Sequence, residues 1–402
     1  MAIEDAVLRF PFAGGPHGEP PDEYAQLRAE SPVTPVVLAS GSRAWLVTRY
    51  ADIRTVLTDD RFSRSIGADG GPRISSGIDP YLDSALLIHT DPPDHGRLRS
   101  VVQRAFKARA VQTLHGRMRV LAEDLADELI AAGPPADLVR DFAFPYVGQI
   151  TAELLGIPDP DVERIKAWTE VISSVTRHTK EDMRTASQEL GAFVGGLLAL
   201  KRSAPGDDVL SVIAAARLAG EIDDHEMILL ARTLTFGGYG TVTNVLTRGV
   251  LLLLRHPDQL ALLRERPALI PAAVEEILRC SMVGGNGLSR IAVTTEDVVL
   301  SGVRIGRGET VISPLTCANR DPAVFAAPDR FDITRDDVEA HLAFGHGRHF
   351  CLGGALSRLE LGVALETLFR RLPGLRLATS PGELRWTPDL LLDQMDSLPA
   401  EW

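Results

Sequence analysis

Cysteine is scarce in this chain: only Cys280, Cys317 and Cys351 occur in 402 residues, with no C-x-x-C pair. A disulfide framework and a four-cysteine zinc site are therefore both out of reach. Long apolar runs are also missing. The longest, such as Leu190–Leu200 and Gly249–Leu254, fall well short of the ~18 residues that indicate a membrane span. The opening MAIEDAVLRFPF carries acids where a secretory signal needs a basic stretch before an apolar one, so a cytoplasmic protein is expected. Net positive charge is absent too: a balance of −12 disfavours nucleic acid as a partner. No low-complexity block, linker or fixed-period repeat divides the chain, and the strand–helix–strand alternation of a dinucleotide-binding domain is not seen.

What is present is the composition of a soluble globular enzyme, 45% hydrophobic and 24% charged. One large domain over residues 1–402 is expected. Helical patterning dominates the middle. The prolines and acid of Asp91–His95 read as a helix start. Further helices are predicted over Met118–Ala132, Phe142–Leu155, Asp161–Val175, Glu181–Leu200 and Asp208–Leu218. The segment Asp223–His256 opens with a capping-box pattern, Asp223 to Glu226, and stops before Pro257. Short strands are predicted near both ends, over Val33–Val37, Ala44–Val47, Ser289–Val293, Val298–Leu300 and Thr310–Ser313. The fold class is mainly α, of the α+β type, with a long central helix and small sheets.

One segment runs against the acidic balance. From His95 to Leu121 there are Arg97, Arg99, Arg104, Lys107, Arg109, Arg117 and Arg119, with no Asp or Glu between them. Such a run is either a solvated helix face or a docking patch for an acidic partner.

The strongest local signal is His341 to Phe369. Gly345 and Gly347 precede Cys351, Gly353 and Gly354 follow it, and an amphipathic helix then runs through Leu356, Leu359, Val363 and Leu368. A cysteine at the head of a helix faces the positive end of its dipole, which favours the thiolate. Flanking glycines allow backbone to approach a flat ligand. Two plainer readings stand beside this one: a buried small hydrophobe, preferred for Cys280 and Cys317, and a zinc site from His341, His346, His349 and Cys351.

The run Phe344-Gly345-His346-Gly347-Arg348-His349-Phe350-Cys351-Leu352-Gly353 resembles the haem-binding loop of the cytochrome P450 family, the haem-thiolate monooxygenases, in its soluble bacterial form. Glu276-Ile277-Leu278-Arg279 is similar to the family's Glu-x-x-Arg pair. Asn319-Arg320-Asp321-Pro322 and Pro328-Asp329-Arg330-Phe331 resemble the segment packed on that pair. Asp91 to Arg99 resembles the helix at the haem edge, and Trp45 to Tyr50 the early strand. These occur in family order and cover nearly the whole chain.

The resemblance implies haem b, iron protoporphyrin IX, with Cys351 as the metal ligand. It implies propionate contacts from His95, Arg99, Arg290 and His349, and loop contacts from Phe344, Gly345 and Gly353. Glu276, Arg279 and Arg330 are implied as a structural network. The implied chemistry activates dioxygen with two electrons and two protons and hydroxylates or epoxidises a small-molecule substrate. External ferredoxin and ferredoxin reductase are the implied donors, and Arg104, Lys107, Arg109, Arg348 and Arg358 the candidate docking cations. No nucleic acid, no membrane and a monomer are expected. The expected pocket walls are Ile66–Leu87, Thr233, Gly237, Val283, Gly284, Leu391 and Leu392, largely apolar, which favours a medium-sized natural-product scaffold. Alternatives are a non-catalytic haem sensor, a peroxide-driven enzyme and oxidative coupling of two groups.

Within the central helix, FGGYGTVTN places Gly237, Gly238 and Gly240 together, at about 1 kcal/mol each relative to alanine. A helix break at Gly237 is one reading. The other, implied by the family, is an oxygen groove in a widened helix, with Thr241 as the alcohol and Gly237 and Gly238 as its small residues. Gly240 departs from the pattern, since the family usually carries an acid there as part of its proton relay.

Overall fold

The computed structural model describes residues 8–15, 19–38, 40–65, 87–106, 108–158, 161–173, 178–281, 290–387 and 394–402. Strands from both ends of the chain meet in one six-stranded sheet, ordered Leu8–Phe10, Val33–Leu38, Arg43–Val47, Thr310–Ser313, Arg290–Thr294 and Phe62–Ser63. Trp45 pairs in parallel with Val311, Arg290 lies opposite Ser313, and Phe62 lies opposite Thr294. Alternating apolar residues of these strands, among them Val36, Leu46, Ile291 and Val311, form one buried cluster. The sheet thus delivers Arg290 and the residue after Ser63 to the same edge of the helical region.

The helices supply the rest. The central helix, Asp224–Arg255, is 32 residues long, which at 1.5 Å per residue spans roughly 48 Å. Its predicted capping box is formed in both directions: Glu226 N–H donates to Asp223 at 2.8 Å, and Asp223 N–H to Glu226 at 2.9 Å. The helix packs against Phe144–Leu155, Lys180–Ser203, Val209–Leu218, Ile270–Cys280 and Gly354–Arg371. Two glycines make those crossings close. A Cβ on Gly238 would lie 2.6 Å from Thr151 Cγ2, and one on Gly249 would lie 2.8 Å from Ile277 Cγ2.

The predicted elements appear with shifted ends. The helix expected over Met118–Ala132 begins at Ala108, so most of the basic segment is helical. The one expected from Phe142 opens with a wide π turn, Val139–Ala143, before the α-helix Phe144–Leu155. The expected break at Gly237 does not occur. The central helix is α-helical throughout: Thr151 of a neighbouring helix fills the space beside Gly238, while the face at Gly237 stays open without breaking the helix.

Candidate functional site

The cysteine loop is a tight reversal ahead of the helix Gly354–Arg371. Gly345 and Gly347 take φ of 74° and 70°, the left-handed region that glycine enters without a Cβ penalty. Gly345 N–H donates to Leu342 O at 2.8 Å, and Cys351 N–H to Phe344 O at 2.9 Å. Cys351 is half-buried, three residues before the helix, and packs on the main helical core. Burial pushes its thiol up, while the Gly353 N–H and the Arg290, Arg99 and Arg358 guanidiniums pull it back. The expected depression by the helix dipole is thus outweighed by desolvation. Coordination to a cation reverses that order, since it deprotonates a thiol outright.

His341 and His346 are each engaged by another side chain. His341 meets Glu275 at 2.9 Å and His346 meets Arg54 at 3.1 Å. Among the described residues no group of three or more His, Cys, Asp or Glu could hold a metal ion, so the zinc alternative has no support.

Beside the cysteine loop lies a cluster of donors. The rings of His95 and His349 lie together, tilted by 45° with centroids 4.2 Å apart. His95 Nε2 and both ring nitrogens of His349 are buried without a hydrogen-bond partner. Burial, helped by His95, Arg64, Arg348 and Arg290, holds His349 down to about 3, and burial with Arg99 lowers His95. Arg99 is half-buried and donates to Phe350 O at 2.8 Å. Asp91 acts on His95 in the opposite sense, but its oxygens are engaged by the Ser63 hydroxyl at 2.5 Å and the Arg64 amide at 2.9 Å. Each buried polar group without a partner costs about 1–3 kcal/mol. Unpartnered imidazoles next to guanidiniums therefore fit a ligand that brings carboxylates, as the two propionates of haem do. Arg64, which is buried, and His89, which is half-buried, are absent from the sequence-based set. Nothing local marks them, because only strand pairing brings Arg64 inward.

The acid–arginine pair is enclosed. Glu276 and Arg279 have no exposed surface and exchange two hydrogen bonds, at 2.6 and 2.8 Å. Arg279 also donates to the carbonyls of Asn319, Pro328 and Arg330 at 2.9, 2.7 and 3.2 Å. Asn319 Oδ1 in turn accepts from Leu342 N–H at 2.7 Å, which ties the pair to the start of the cysteine loop. The expected side-chain role of Arg330 needs correction. Its side chain is 68% exposed and, among the described residues, pairs with Asp332 at 3.5 Å, because the turn after Ala327 aims its carbonyl inward instead. Arg335, 6% exposed, takes the place beside Glu276 at 3.4 Å. The adjacent Glu275 clamps the loop from both sides, through His341 and a bidentate contact from Arg358 at 2.6 and 2.9 Å. Burial alone would raise the Glu275 carboxyl, but those two donors pull it down to about 2.

On the central helix, Thr241 donates to Gly237 O at 2.8 Å, Thr243 to Tyr239 O at 2.8 Å and Thr233 to Leu229 O at 2.7 Å. A Cβ on Gly237 would meet nothing within 4 Å, so that face is open, whereas Gly238 is a packing residue. Gly240 is half-buried, and from Thr233 to Thr247 the helix holds no Asp, Glu, Lys, Arg or His. Val283, Gly284, Leu391 and Leu392, with Ile66 to residue 86, lie outside the described residues.

The basic segment is acid-free in sequence but not in space. Arg97 pairs with Glu226 at 2.5 Å, Arg104 with Glu221 at 2.8 Å, Arg117 with Glu153 at 3.2 Å and Arg119 with Glu366 at 3.6 Å. Arg348 pairs with Asp60 and Arg358 with Glu275. Lys107 and the side chain of Arg109 lie outside the described residues.

Known proteins share this arrangement. The family model described as cytochrome P450 matches residues 137–374. Nocardicin C N-oxygenase of Nocardia uniformis subsp. tsuyamanensis is 40% identical over 382 residues, covering 94% of each chain. Mycinamicin IV hydroxylase/epoxidase of Micromonospora griseorubida is 40% identical over 384 residues, again covering 94% of each. The LnmA cytochrome P450 hydroxylase from the leinamycin biosynthetic pathway of Streptomyces atroolivaceus superposes with a TM-score of 0.89 at 40% identity, covering 98% of this chain and 100% of that one. No described helix is long and apolar enough to cross a membrane. The glycine-bounded cysteine, the enclosed acid–arginine pair and the long central helix are thus those of a chain that belongs to the cytochrome P450 family, a haem b-dependent monooxygenase.

Proposed function

We propose that Cys351 binds the haem iron as its thiolate, that His95, Arg99, Arg290 and His349 meet the propionates, and that the enzyme hydroxylates or epoxidises a medium-sized, mostly apolar natural product. The carrying observation is the unpartnered His95–His349 pair beside the guanidiniums that act on Cys351. Haem, when bound, supplies the activation of dioxygen, and thiolate donation favours O–O cleavage.

The chain's own residues then hold, exclude and move. The enclosed Glu276–Arg279 pair, through Asn319, fixes the height of the loop that carries Cys351. Gly237 leaves room on the central helix for small molecules. The Thr241 hydroxyl spends its proton on Gly237 O and presents its lone pairs outward. It therefore accepts a proton or hydrogen bond as it stands, and donates onward only after leaving Gly237. With glycine at 240, the proton that Thr241 passes on comes from water, Thr243 or the substrate. Two relatives are named for the compounds they act on, nocardicin C and mycinamicin IV, which supports a natural-product substrate.

Electrons come from an external ferredoxin and its reductase, docking on the face around Cys351. Phe350 is exposed there and offers an apolar centre, flanked by Arg348 and Arg358. Those cations are shared with Asp60 and Glu275, so docking must compete with internal pairs and is salt-dependent.

The deciding measurement is the absorbance spectrum of the reduced carbon monoxide complex, where a red-shifted Soret band is expected. A band at the position of histidine-ligated haem removes the Cys351 assignment. Titration of natural-product candidates by haem absorbance, followed by product analysis with a ferredoxin system, then tests substrate class. Turnover with peroxide but none with ferredoxin would overturn the electron source.

A further inference from the structure

Arg232 sits on the central helix immediately before the stretch from Thr233 to Thr247, which holds no Asp, Glu, Lys, Arg or His. Its stem passes the helix Lys180–Ser203, where a Cβ on Gly191 would lie 3.7 Å from Arg232 Cδ. Its Nη2 donates to the Ser187 hydroxyl of that helix at 2.5 Å, and its Nε is buried with no hydrogen-bond partner. Among the described residues no carboxylate meets it, and burial alone acts on its charge, lowering the guanidinium. The enclosed Arg279 and Arg335, by contrast, both face Glu276. A guanidinium stays charged at physiological pH, so a desolvated one without an acid is costly until a ligand supplies the anion.

Helix geometry sets Arg232 at the rim of the groove. Residues four apart share a side of a helix, which gives three neighbouring stripes here. Thr233, Gly237 and Thr241 form a stripe that keeps exposed surface, and Ala231, Thr235 and Tyr239 form one that is buried. Arg232, with Phe236 and Gly240, runs between them. Along the axis it stands about 14 Å from Thr241.

We propose that Arg232, with the Ser187 hydroxyl, binds a carboxylate of the substrate at the end of the groove away from Thr241, so that the enzyme selects a mostly apolar molecule carrying one anionic group. The proposal rests on the haem-bound reading above, in which substrate lies along the central helix. Arg232 is a specificity residue: holding the carboxylate at that distance sets which part of the substrate reaches Thr241. The fork of the guanidinium suits a planar, bidentate carboxylate.

The test uses the ferric holoenzyme and ω-imidazolyl alkanoic acids with their methyl esters, in chain lengths of about eight to fourteen carbons that bracket the span along the helix. The imidazole coordinates the haem iron and fixes one end of each probe, and the Soret shift reads its Kd. In wild type the acid is expected to bind at least about tenfold tighter than its ester at the matching length, since only the acid forms the charge-assisted contact. Arg232→Gln should abolish that preference and leave ester binding unchanged. Equal binding of acid and ester by wild type at every length overturns the proposal, and so does an acid preference that persists in Arg232→Gln. An equal loss of acid and ester affinity in that variant also overturns it, because Arg232 would then only brace the helix that carries Ser187. If Arg232→Gln does not load haem, Arg232→Lys takes its place. It keeps the charge without the fork and should weaken the preference, and an unchanged preference overturns the proposal. No Soret shift with imidazole itself would remove the haem reading and this inference together, whereas a shift without acid preference removes this inference alone.

Discussion

On the cysteine side of the site, Glu276 and Arg279 exchange hydrogen bonds with no surface exposed, and Glu275 grips the loop through His341 and Arg358. On the central-helix side, every threonine hydroxyl from Thr233 to Thr243 is turned back onto a carbonyl of its own helix. The first region is bound by charges from distant segments, and each partner is left costly if the other is removed. The second holds no ionisable side chain but that of Tyr239 between Arg232 and Arg248, so it can be changed without stranding a buried charge. A ligand loop must be kept at one height, whereas an oxygen and substrate groove must admit different groups.

The sharpest way to break this contrast is Arg279→Ala. It strands Glu276 and is expected to cost about 3–5 kcal/mol, read as a loss of folded, haem-loaded protein in thermal unfolding. Tolerance of that change would remove the claim that the cysteine side is held by buried charge. Glu360, on the cysteine helix, tests the same side by pH. It is enclosed, and burial alone raises it to about 8. A group raised on folding contributes stability that is full below its unfolded value of about 4.3 and lost as pH rises toward 8. Glu360→Gln should flatten that alkaline loss, and an unchanged pH profile of unfolding would show that the acid is solvated. Glu275 has the opposite sign. Held down to about 2, its contribution is present above about pH 4.3 and lost as pH falls toward 2, so Glu275→Gln should be on the order of 1–2 kcal/mol less stable at neutral pH and lose that acid dependence.

On the central-helix side, stability should barely move while chemistry does. Thr241→Ala is expected to stay within about 1 kcal/mol of wild type and to divert electrons into hydrogen peroxide. Gly240→Asp should raise the fraction of electrons recovered as product. Equal coupling in these two variants and wild type would end the proton-supply reading without touching the fold. The smallest expected effect is Arg330→Ala, within about 0.5 kcal/mol, since only its carbonyl takes part in the network.

Much of this was legible in the residues alone. The capping box at Asp223 and Glu226, the i,i+3 pair Glu276–Arg279 and the glycines around Cys351 are local signals, with their geometry set by spacing along one helix or loop. The glycine run was legible as costly but not for its cause, because the close approach of Thr151 to Gly238 depends on a helix nearly ninety residues away in sequence.

Tertiary structure decided the remainder. Arg335 serves Glu276 where Arg330 was expected, because the direction of a turn chooses between side chain and carbonyl. The basic run from His95 to Leu121 is acid-free only along the chain, since folding sets Glu221, Glu226, Glu153 and Glu366 against it. Arg64 is buried next to a strand more than two hundred residues later, whose Ile291 carbonyl it meets. Periodicity reports which residues share a face, but the partner across that face is set by non-local packing, and there the charges of this protein acquire their roles.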